Sequence, residues 1–443
     1  MQLFKRKATS FSVSIFTCLL VFYSLPCTAQ YTELASLPEP VSNNATVAAE
    51  ANGKQYVFSF CGIDDTKIWS GIHLKAWRYD LQNDEWSALP DVPDPAGGKI
   101  AAAASFVKGK IYLIGGYHVA SNGNETSSKK VHAFDPVANA WLPDAADLPV
   151  AIDDHVQAVW RDSLIYVVTG WSNSTNVPNV QVFNPTTNGW EAGTLVPNNN
   201  DYKVFGGSGV IVDDTIFYAG GARTGGNFPP TSFFRKGIIN PDNPTEITWT
   251  GFNEPAAKGY RMAAATLDGK AVWLGGSDVT YNFNGIAYNG SGGVPPLDRI
   301  TVFDPNSGHF SQATGDMPKV MDLRGAAQIA NSEVIIAGGM EEGQQVTDKV
   351  WRIHFEEVLA VETPADEAAF YKISSNPANS SCIVKAKKNI GARLFDWAGK
   401  MIFQENGHYE IEIPVSQIPG GIYWLEIVAK DGQRALEKLV VQK

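Results

Sequence analysis

The sequence is poor in cysteine, and the cysteines it has cannot hold the fold together. They are Cys18, Cys27, Cys61 and Cys382. The first two lie in an apolar N-terminal segment. The other two lie in regions of different sequence texture, so a bridge would have to bring two separate domains to the short distance that a disulfide demands. A disulfide framework is excluded, and we expect Cys61 and Cys382 to be free thiols.

Helix-forming stretches and positive charge are also scarce. The chain contains 41 glycines and 25 prolines, so few windows of ten residues escape glycine, proline or asparagine, which indicates short strands joined by turns. Without the N-terminal residues Lys5, Arg6 and Lys7, the 35 basic residues fall to 32 against 46 acidic ones, a net charge of −14. That acidity argues against nucleic acid as a partner.

Long apolar runs are absent except near the N-terminus. There the basic stretch "FKRKATS" precedes the apolar "FSVSIFTCLLVFYSL", and "CTA" before Gln30 ends in a small residue. This order of segments predicts a signal peptide over residues 1–29. We expect an exported protein that has no transmembrane segment after the signal is removed.

What the chain has in abundance is an apolar run that ends in glycine. The six runs are "YVFSFCG" to Gly62, "IYLIGG" to Gly116, "IYVVTG" to Gly170, "IFYAGG" to Gly221, "AVWLGG" to Gly276 and "VIIAGG" to Gly339. Successive runs end 51 to 63 residues apart. An aromatic, then Asp or Asn, then Trp or another aromatic follows each of the first five, as in "HAFDPVANAW". A period of about 50 residues predicts a repeat architecture.

Each repeat has room for four short apolar strands, and a lone four-stranded sheet cannot bury both faces. Stacking such sheets radially covers the faces and leaves only protected edges, which favours a β-propeller. The glycine runs and aromatic motifs resemble those of the kelch repeat family, which builds propellers, over residues 31–357. Cys61 and Thr169 depart from the family's glycine doublet. The resemblance implies an all-β fold, a six-bladed kelch-type propeller over residues 30–357.

The stretch "YTELASLPEP", residues 31–40, predicts how this ring closes. Unit six has its third strand, "KVWRIHF", but no tryptophan segment after it. Tyr31 lies 55 residues before Trp86, one period early. We therefore expect an N-terminal strand to complete blade six and to join the two ends of a fold otherwise held by nearest-neighbour contacts.

The tail has a different texture. Residues 358–368 are acidic and predict a linker, and from residue 369 segments such as "ARLFDWAGKMIF" and "IPGGIYWLEI" alternate like half-buried strands, which predicts a small Ig-like β-sandwich over residues 369–443. The tail resembles the C-terminal sorting domain of the Bacteroidetes type IX secretion system. That resemblance implies the type IX secretion machinery as a partner and a secreted or outer cell-surface location. An Ig-like accessory module is the alternative.

Residues just before each first strand should ring one mouth of the propeller, because the connections into strand one and between strands two and three share a face. Fourteen residues before the first member of three doublets stand His155, Arg261 and Arg324. Units one and two offer polar residues in comparable segments, and the loops between strands two and three add aromatics. The predicted ligand-binding residues are Asn44, Lys99, His155, Arg261, Arg324, Tyr117, Trp171 and Tyr281.

Such donors beside aromatic rings suit a glycan or a peptide. The loop of unit five, "SDVTYNFNGIAYNGSGGVPPLD", is the longest, and its glycines and asparagines predict a mobile lip. A structural reading stands beside the functional one. Arginine at this position can brace adjacent blades, His155 can be a packing histidine, and the loop aromatics can cover the ends of the blades.

Two classes of propeller enzyme bear on this chain. Copper oxidases resembling galactose oxidase need histidine and tyrosine ligands, but the seven histidines here form no closely spaced pair, so we predict no metal and no other cofactor. The chain is more similar to the six-bladed sialic acid mutarotases. That family places a glutamate just after the glycines of unit four, where this chain has Ala222 and then Arg223.

The sequence thus predicts a secreted or cell-surface kelch propeller that binds a glycan or protein ligand at its loop-rich mouth, as a monomer. One alternative is a sialic acid mutarotase-like or other sugar epimerase, and the other is a purely structural surface protein. No catalytic residue can be named from the sequence, because fold alone does not give function.

Overall fold

A computed structural model gives the architecture. It describes residues 28–356, 371–396 except 375 and 377, 400–430 and 434–442. The predicted signal peptide up to residue 27 and the predicted linker 358–368 lie outside the described residues. The chain divides into two compact units, Met1–Val358 and Leu359–Lys443. No helix in the described part is long and apolar enough to cross a membrane.

The larger unit consists of six antiparallel sheets, each with four strands in blade order. The first strands of neighbouring blades contact one another around a central channel, so they are innermost. From the inside outwards, blade one contains Ala45–Ala51, Lys54–Ile63, Ile72–Asp80 and Glu85–Leu89. Blade two contains Ile100–Val107, Lys110–Val119, Val131–Asp135 and Ala140–Trp141. Blade three contains Val156–Trp160, Leu164–Val168, Val180–Asn184 and Gly189–Ala192.

The remaining three blades repeat this order. Blade four contains Ser208–Val212, Thr215–Ala219, Phe233–Asn240 and Asn243–Asn253. Blade five contains Ala263–Leu267, Lys270–Leu274, Arg299–Asp304 and His309–Thr314. Blade six contains Ala327–Ala330, Glu333–Ala337, Val350–Glu356 and, as its fourth strand, Thr28–Leu34. The predicted six-bladed, all-β propeller closed by an N-terminal strand is confirmed.

Short elements decorate the loops between second and third strands. Glu125–Ser127 adds to the sheet of blade two. The ribbon pairs are Trp171–Ser172 with Thr175–Asn176 and Met340–Glu341 with Gln345–Val346. The 3-10 turns in these loops are Trp69–Gly71 and Glu342–Gln344, and a third, Pro255–Ala257, lies in the segment that joins blades four and five.

The N-terminal strand occupies the place that the fourth strand holds in every other blade. It pairs antiparallel with the third strand of blade six, with Tyr31 opposite Ile353. In blades two to four, the fourth-strand tryptophan donates its indole N–H to a carbonyl of the segment leaving the preceding blade: Trp141 to Pro90, Trp190 to Ala146 and Trp249 to Thr194, at 2.8 to 2.9 Å. Trp86 of blade one donates in the same way to Ala35, at 2.9 Å.

The second strands end in a left-handed residue, which is why glycine recurs there. Gly275 has a φ of 62°, and a Cβ there would lie 2.4 Å from the carbonyl oxygen of Val320 in the next blade. Cys61 and Thr169, which break the sequence pattern, adopt the same left-handed conformation, with φ of 57° and 47°. The two departures therefore change the residue but leave the backbone path unchanged.

The smaller unit consists of five strands linked in one hydrogen-bonded sheet: Tyr371–Ser374, Ser381–Phe395, Met401–Pro414, Gly421–Ala429 and Arg434–Val441. Ser381–Phe395 pairs on one side with Met401–Pro414, and on the other first with Tyr371–Ser374 and then with Gly421–Ala429. Alternate residues such as Val384, Ile411 and Leu425 are fully buried in one apolar core. The tail is therefore all-β as predicted, and its single apolar core is compatible with the predicted Ig-like sandwich.

Candidate ligand-binding site

Arg261 lies between two carboxylates at one end of the channel. Its Nε and Nη2 donate to Asp154 Oδ1 and Oδ2 at 3.1 and 2.6 Å, and its Nη1 donates to Asp322 Oδ1 at 2.8 Å. All three side chains are at most 2% exposed. Burial by itself would lower the pKa of Arg261, but Asp154, Tyr260 and Asp322 hold it well above its usual value. The predicted blade-bracing role of this arginine matches the contacts.

Arg324 lines the channel next to this cluster, with fewer partners. Its Nη2 donates to the carbonyl oxygen of His155 at 3.0 Å, and its Nη1 is 3.5 Å from Asp154 Oδ1. Its Nε has no hydrogen-bond partner among the described residues. Burial lowers the pKa of Arg324, and Asp154 counters this only in part. A guanidinium carries five N–H donors, so this one is under-satisfied by the protein alone.

His155 lines the same cavity, and its tautomer follows from a chain of hydrogen bonds. Gln157 Nε2 donates to Ser105 Oγ at 2.8 Å, so its Oε1 is left to accept from His155 Nε2 at 2.9 Å. The proton therefore sits on Nε2, and Nδ1 is a buried acceptor without a partner in the described part of the chain. Burial, aided by the charge of Arg324, lowers the pKa of His155 to about 4. The ring is neutral at physiological pH.

The cavity between the six first strands has a volume of about 320 Å³. Besides Arg324 and His155 its polar side chains are those of Ser105, Gln157 and Gln328 and the threonines and serine at its two ends, Thr46, Thr266 and Ser208. None of the described residues that line it is acidic. The volume lies at the lower end of the range typical of small-molecule sites, roughly 300–1,000 Å³.

Asn44 and Lys99 lie away from the channel, and both are buried with protein partners. Asn44 Nδ2 donates to Ser59 Oγ at 2.8 Å and to the carbonyl oxygen of Ala337 in blade six at 3.1 Å. Lys99 Nζ is 2.5 Å from Asp94 Oδ2, with neither side chain more than 1% exposed. The contact of Asn44 joins blade one to blade six, and that of Lys99 joins two parts of the segment that leads into blade two. A ligand role for either residue stays a prediction.

Trp171 and Tyr281 lie in the loops between second and third strands, and Tyr117 lies near the end of the second strand of blade two, but the three do not form one open surface. Tyr117 is 4% exposed and Tyr281 is fully buried, with its ring 5.0 Å from that of Tyr260. Trp171 is half-buried and meets Phe205 and Phe228 edge to face at 5.5 Å. The structure therefore does not bring the predicted ligand-binding residues together. His155 and Arg324 line the channel, Arg261 lies at one end of it, and the aromatic rings pack over that end.

The sequence reasoning misses Asp154 and Asp322, and the reason is local. Counting back from the glycines fails by one residue in blade three, because the hairpin after Trp160 has three residues, Arg161 to Ser163, where blade five has two. It fails by two in blade six, where the one-residue register shift between Gln328 and Ala330 accounts for one of the two residues. The "DD" pair at 153–154, which reads as a turn, is the available signal for Asp154.

Two features bear on cofactors and on the enzyme alternative. Within the described residues, no group of three or more His, Cys, Asp or Glu side chains is arranged to hold a metal ion. Ala222, where the mutarotase resemblance expects an acid, is fully buried, and the neighbouring Arg223 is 3.1 Å from Asp201. An acid is thus missing at that position.

Comparison with known proteins supports both units. The sequence family described as "Kelch motif" matches residues 101–143, and "Secretion system C-terminal sorting domain" matches residues 372–442. Kelch-like protein terF of Aspergillus terreus is 28% identical over 260 residues, 57% of this chain and 53% of its own length. An N-acetylneuraminate epimerase of Pasteurella multocida is 24% identical over 353 residues, 73% of this chain and 80% of its own.

The chain spans about half of the Aspergillus relative and 26% of Kelch-like protein 25 of Xenopus tropicalis. A solved structure, titled "Structure of YjhT", aligns with a TM-score of 0.54 at 17% identity and covers 72% of this chain and 95% of that one. At this low identity, the structural match supports the fold alone. The chain is a kelch-repeat propeller protein that carries a type IX secretion C-terminal sorting domain, the mark of proteins exported to the cell surface or outside.

Proposed function

We propose that this exported propeller is a ligand-binding module, and that its site is the central channel beside Arg324 and His155. The observation that carries the proposal is the hydrogen bonding of Arg324. This guanidinium is 7% exposed, donates one good hydrogen bond to the described part of the protein, leaves Nε without a partner there and lines a cavity. Buried cations without partners are costly, so a ligand that accepts these hydrogen bonds would be held firmly.

Of the two ligand kinds expected from the sequence, the channel favours a small glycan over a protein. Its volume of about 320 Å³ suits a single sugar ring rather than a protein surface. The innermost strands also turn one edge of unpaired backbone N–H and C=O groups towards the channel, and these groups suit the hydroxyls of a sugar. On the loop-rich mouth, the charged residue Arg261 is already fully engaged by Asp154 and Asp322.

The test screens the exported chain for binding to a glycan array. Binding of a panel of monosaccharides is measured by the shift in melting temperature that each one causes. Wild type is compared with Arg324→Gln. The matched control is Arg352→Gln, which changes a 44% exposed arginine on the same blade. We expect binding to fall at least tenfold in Arg324→Gln only, as for loss of a charged hydrogen bond of about 1.5–3 kcal/mol. Equal binding by all three proteins would rule out the part of the channel beside Arg324 as the site.

A sugar epimerase is the second candidate, and His155 is the observation that favours it. Epimerisation at the anomeric carbon of a ring sugar needs a base that takes the hydroxyl proton while the ring C–O bond breaks and an acid protonates the ring oxygen. Neutral His155, with its Nδ1 unpartnered among the described residues and its ring lining the cavity, can be that base. One relative is named an N-acetylneuraminate epimerase.

NMR can distinguish a binding module from a sugar epimerase. Exchange between the anomers of N-acetylneuraminate is followed with and without the protein, and again with His155→Gln. An enzyme accelerates the exchange in wild type and loses the acceleration in the variant while it still binds sugar. A pure binding module leaves the exchange rate at its uncatalysed value.

A further inference from the structure

Six residues, one from each blade, form a ring at one end of the channel. All six have left-handed backbones with φ between 47° and 63°: Asn43, Ala101, Asp154, Gly206, Arg261 and Asp322. Backbone N–H groups link them in a circle: Asp154 to Ala101, Gly206 to Asp154, Arg261 to Gly206 and Asn43 to Asp322, at 2.8 to 3.1 Å. Leu323 N–H donates to the carbonyl of Arg261, and Ala101 N–H donates to Asn43 Oδ1, which completes the circle.

The inside of this ring is filled by its own side chains. Arg261 spans it from Asp154 in blade three to Asp322 in blade six, and Asn43 Nδ2 donates to Asp322 Oδ1 at 3.0 Å. Ser42 Oγ also donates to Asp322, at 2.5 Å. Asn43, Asp154, Arg261 and Asp322 are each at most 2% exposed. The ring therefore closes this end of the channel.

The long loop of blade five lies over the ring and is packed rather than free, which corrects the predicted lip. Tyr281 lies against Arg261, Thr280 Oγ1 donates to the carbonyl of Phe228 in blade four, and Gln344 Nε2 of blade six donates to the carbonyl of Val294. Phe283 packs on the apolar cluster of blades one and two that contains Tyr117. The loop asparagines form local turns, with side-chain oxygens accepting from the backbone N–H one or two residues on.

The opposite end of the channel is the accessible one. Each first strand begins near the ring and ends at the hairpin that leads into the second strand, so the far end of the channel lies on the hairpin face of the propeller. Along blade six, exposure rises from Asp322, which is fully buried, through Ala326, which is half-buried, to Gln328, which is exposed. Thr266 and Ala264 of blade five are half-buried in the same way.

We infer that the channel is a blind pocket that opens only on the hairpin face, and that it selects small anions, which travel inward to Arg324. The sign of the selection follows from the lining, where Arg324 is the charged side chain and none of the described lining residues is acidic. A cation held at the closed end of a narrow pocket concentrates anions and repels cations. The identity of the ligand rests on the proposed function, but the side of access and the charge preference do not.

The test uses a thiol placed halfway down the pocket, Ala264→Cys, in the exported chain. The two native thiols should react slowly with the reagents, because both are buried and burial raises the pKa of Cys61 to about 12 and that of Cys382 to about 11. Two methanethiosulfonate reagents of similar size are compared, one carrying a sulfonate and the other a trimethylammonium group. In each, the introduced thiolate forms a mixed disulfide and expels methanesulfinate. Rates are divided by those measured with free cysteine.

We expect the sulfonate reagent to react roughly tenfold faster than the cationic one, since local charge changes such rates by about 10-fold or more. Arg324→Gln in the same background should remove this preference. Gln328→Trp, which narrows the hairpin opening, should slow both reagents. Phe283→Ala, which loosens the loop over the ring, should change neither.

Two results would overturn the inference: cationic and anionic reagents reacting equally fast, or Phe283→Ala speeding the reaction while Gln328→Trp leaves it unchanged. The outcome is independent of the ligand screen. If the labelling pattern holds and no sugar binds through Arg324, the blind anion pocket stands and the proposed function fails. If sugars bind through Arg324 but labelling proceeds from the loop side, the proposed function stands and this inference fails.

Discussion

Replacing Arg261 by methionine should damage the propeller more than any surface charge change. The substitution keeps the approximate length of the side chain but removes the three side-chain hydrogen bonds of Arg261, which reach Asp154 in blade three and Asp322 in blade six. It leaves two carboxylates, Asp154 and Asp322, in each other's field at 2% exposure or less. Arg324 compensates them only weakly, since its Nη1 is 3.5 Å from Asp154.

The size of the effect follows from this arrangement. Breaking a buried ion pair by removing one partner costs about 3–5 kcal/mol, because the remaining charge is buried and uncompensated. The loss should depend on pH. Burial already raises the pKa of Asp322 and Arg261 opposes that rise, so the variant raises it further. A carboxyl whose folded pKa lies above its unfolded value of about 3.9 destabilises the fold progressively as pH rises above that value. The deficit should be larger at pH 7.5 than at pH 4.5.

Calorimetric unfolding of the full exported chain measures this, with the propeller transition compared between variants. At about 2 °C per kcal/mol for a unit of this size, Arg261→Met should lower Tm by roughly 5–10 °C at pH 7.5. Arg352→Met, which breaks an exposed pair with Glu333, should cost no more than about 1 kcal/mol. A triple variant that adds Asp154→Asn and Asp322→Asn should recover much of the loss, because asparagine tolerates the left-handed backbone at both positions. A Tm for Arg261→Met within about 2 °C of wild type, less than the effect of 3 kcal/mol, or no recovery in the triple variant, would refute the reasoning.

Two further predictions concern the ring and the channel. Deleting residues 31–38 removes the Tyr31–Leu34 part of the strand that completes blade six, the buried Leu37 and the carbonyl of Ala35 that accepts from Trp86. We therefore expect a loss of at least about 5 kcal/mol in the free energy of unfolding, measured by calorimetry. A propeller transition that keeps its wild-type Tm would show that this strand does not hold the ring closed. His155→Gln should make the stability of the propeller fall less steeply between pH 6.5 and 4. Burial lowers the pKa of His155 to about 4 in the folded state, so the unfolded chain binds a proton first, a loss on the order of 3 kcal/mol in wild type. Part of the slope should remain, because burial also lowers the pKa of His73 to about 4. Parallel pH profiles of the two proteins would contradict this.

Much of the fold can be predicted because the sequence repeats the same local motifs in each blade. The glycines at the ends of second strands and the fourth-strand tryptophans recur with a period of about 50 residues. The segment at Tyr31 lies one period before the first tryptophan motif and supplies what is missing after unit six. A missing motif predicts the closing strand, and its pairing with the third strand of blade six confirms it. The recurrent use of the tryptophan indole as a donor to the preceding blade is not predictable in this way, because a sequence motif does not say where a polar tip points.

The candidate site is harder to predict because it depends on single-residue offsets. One extra hairpin residue after Trp160 places Asp154 instead of His155 in the ring. In blade six Asp322 takes the place of Arg324, and a one-residue register shift near Gln328 explains half of that offset. A one-residue offset changes which side chain faces a shared centre. Burial is also not visible in the sequence. Lys99, Asn44 and Arg261 are candidates for ligand donors, but Asn44 and Arg261 donate to residues of other blades, and Lys99 is paired with the nearby Asp94.

The most direct test of the account is where an anion binds in a crystal of the exported chain. Crystals soaked in bromide and measured at the bromine absorption edge would reveal anion positions by anomalous scattering. The account predicts a bromide in the channel in contact with the guanidinium of Arg324, and its loss in crystals of Arg324→Gln. Bromide on exposed arginines such as Arg352 with none in the channel would contradict it.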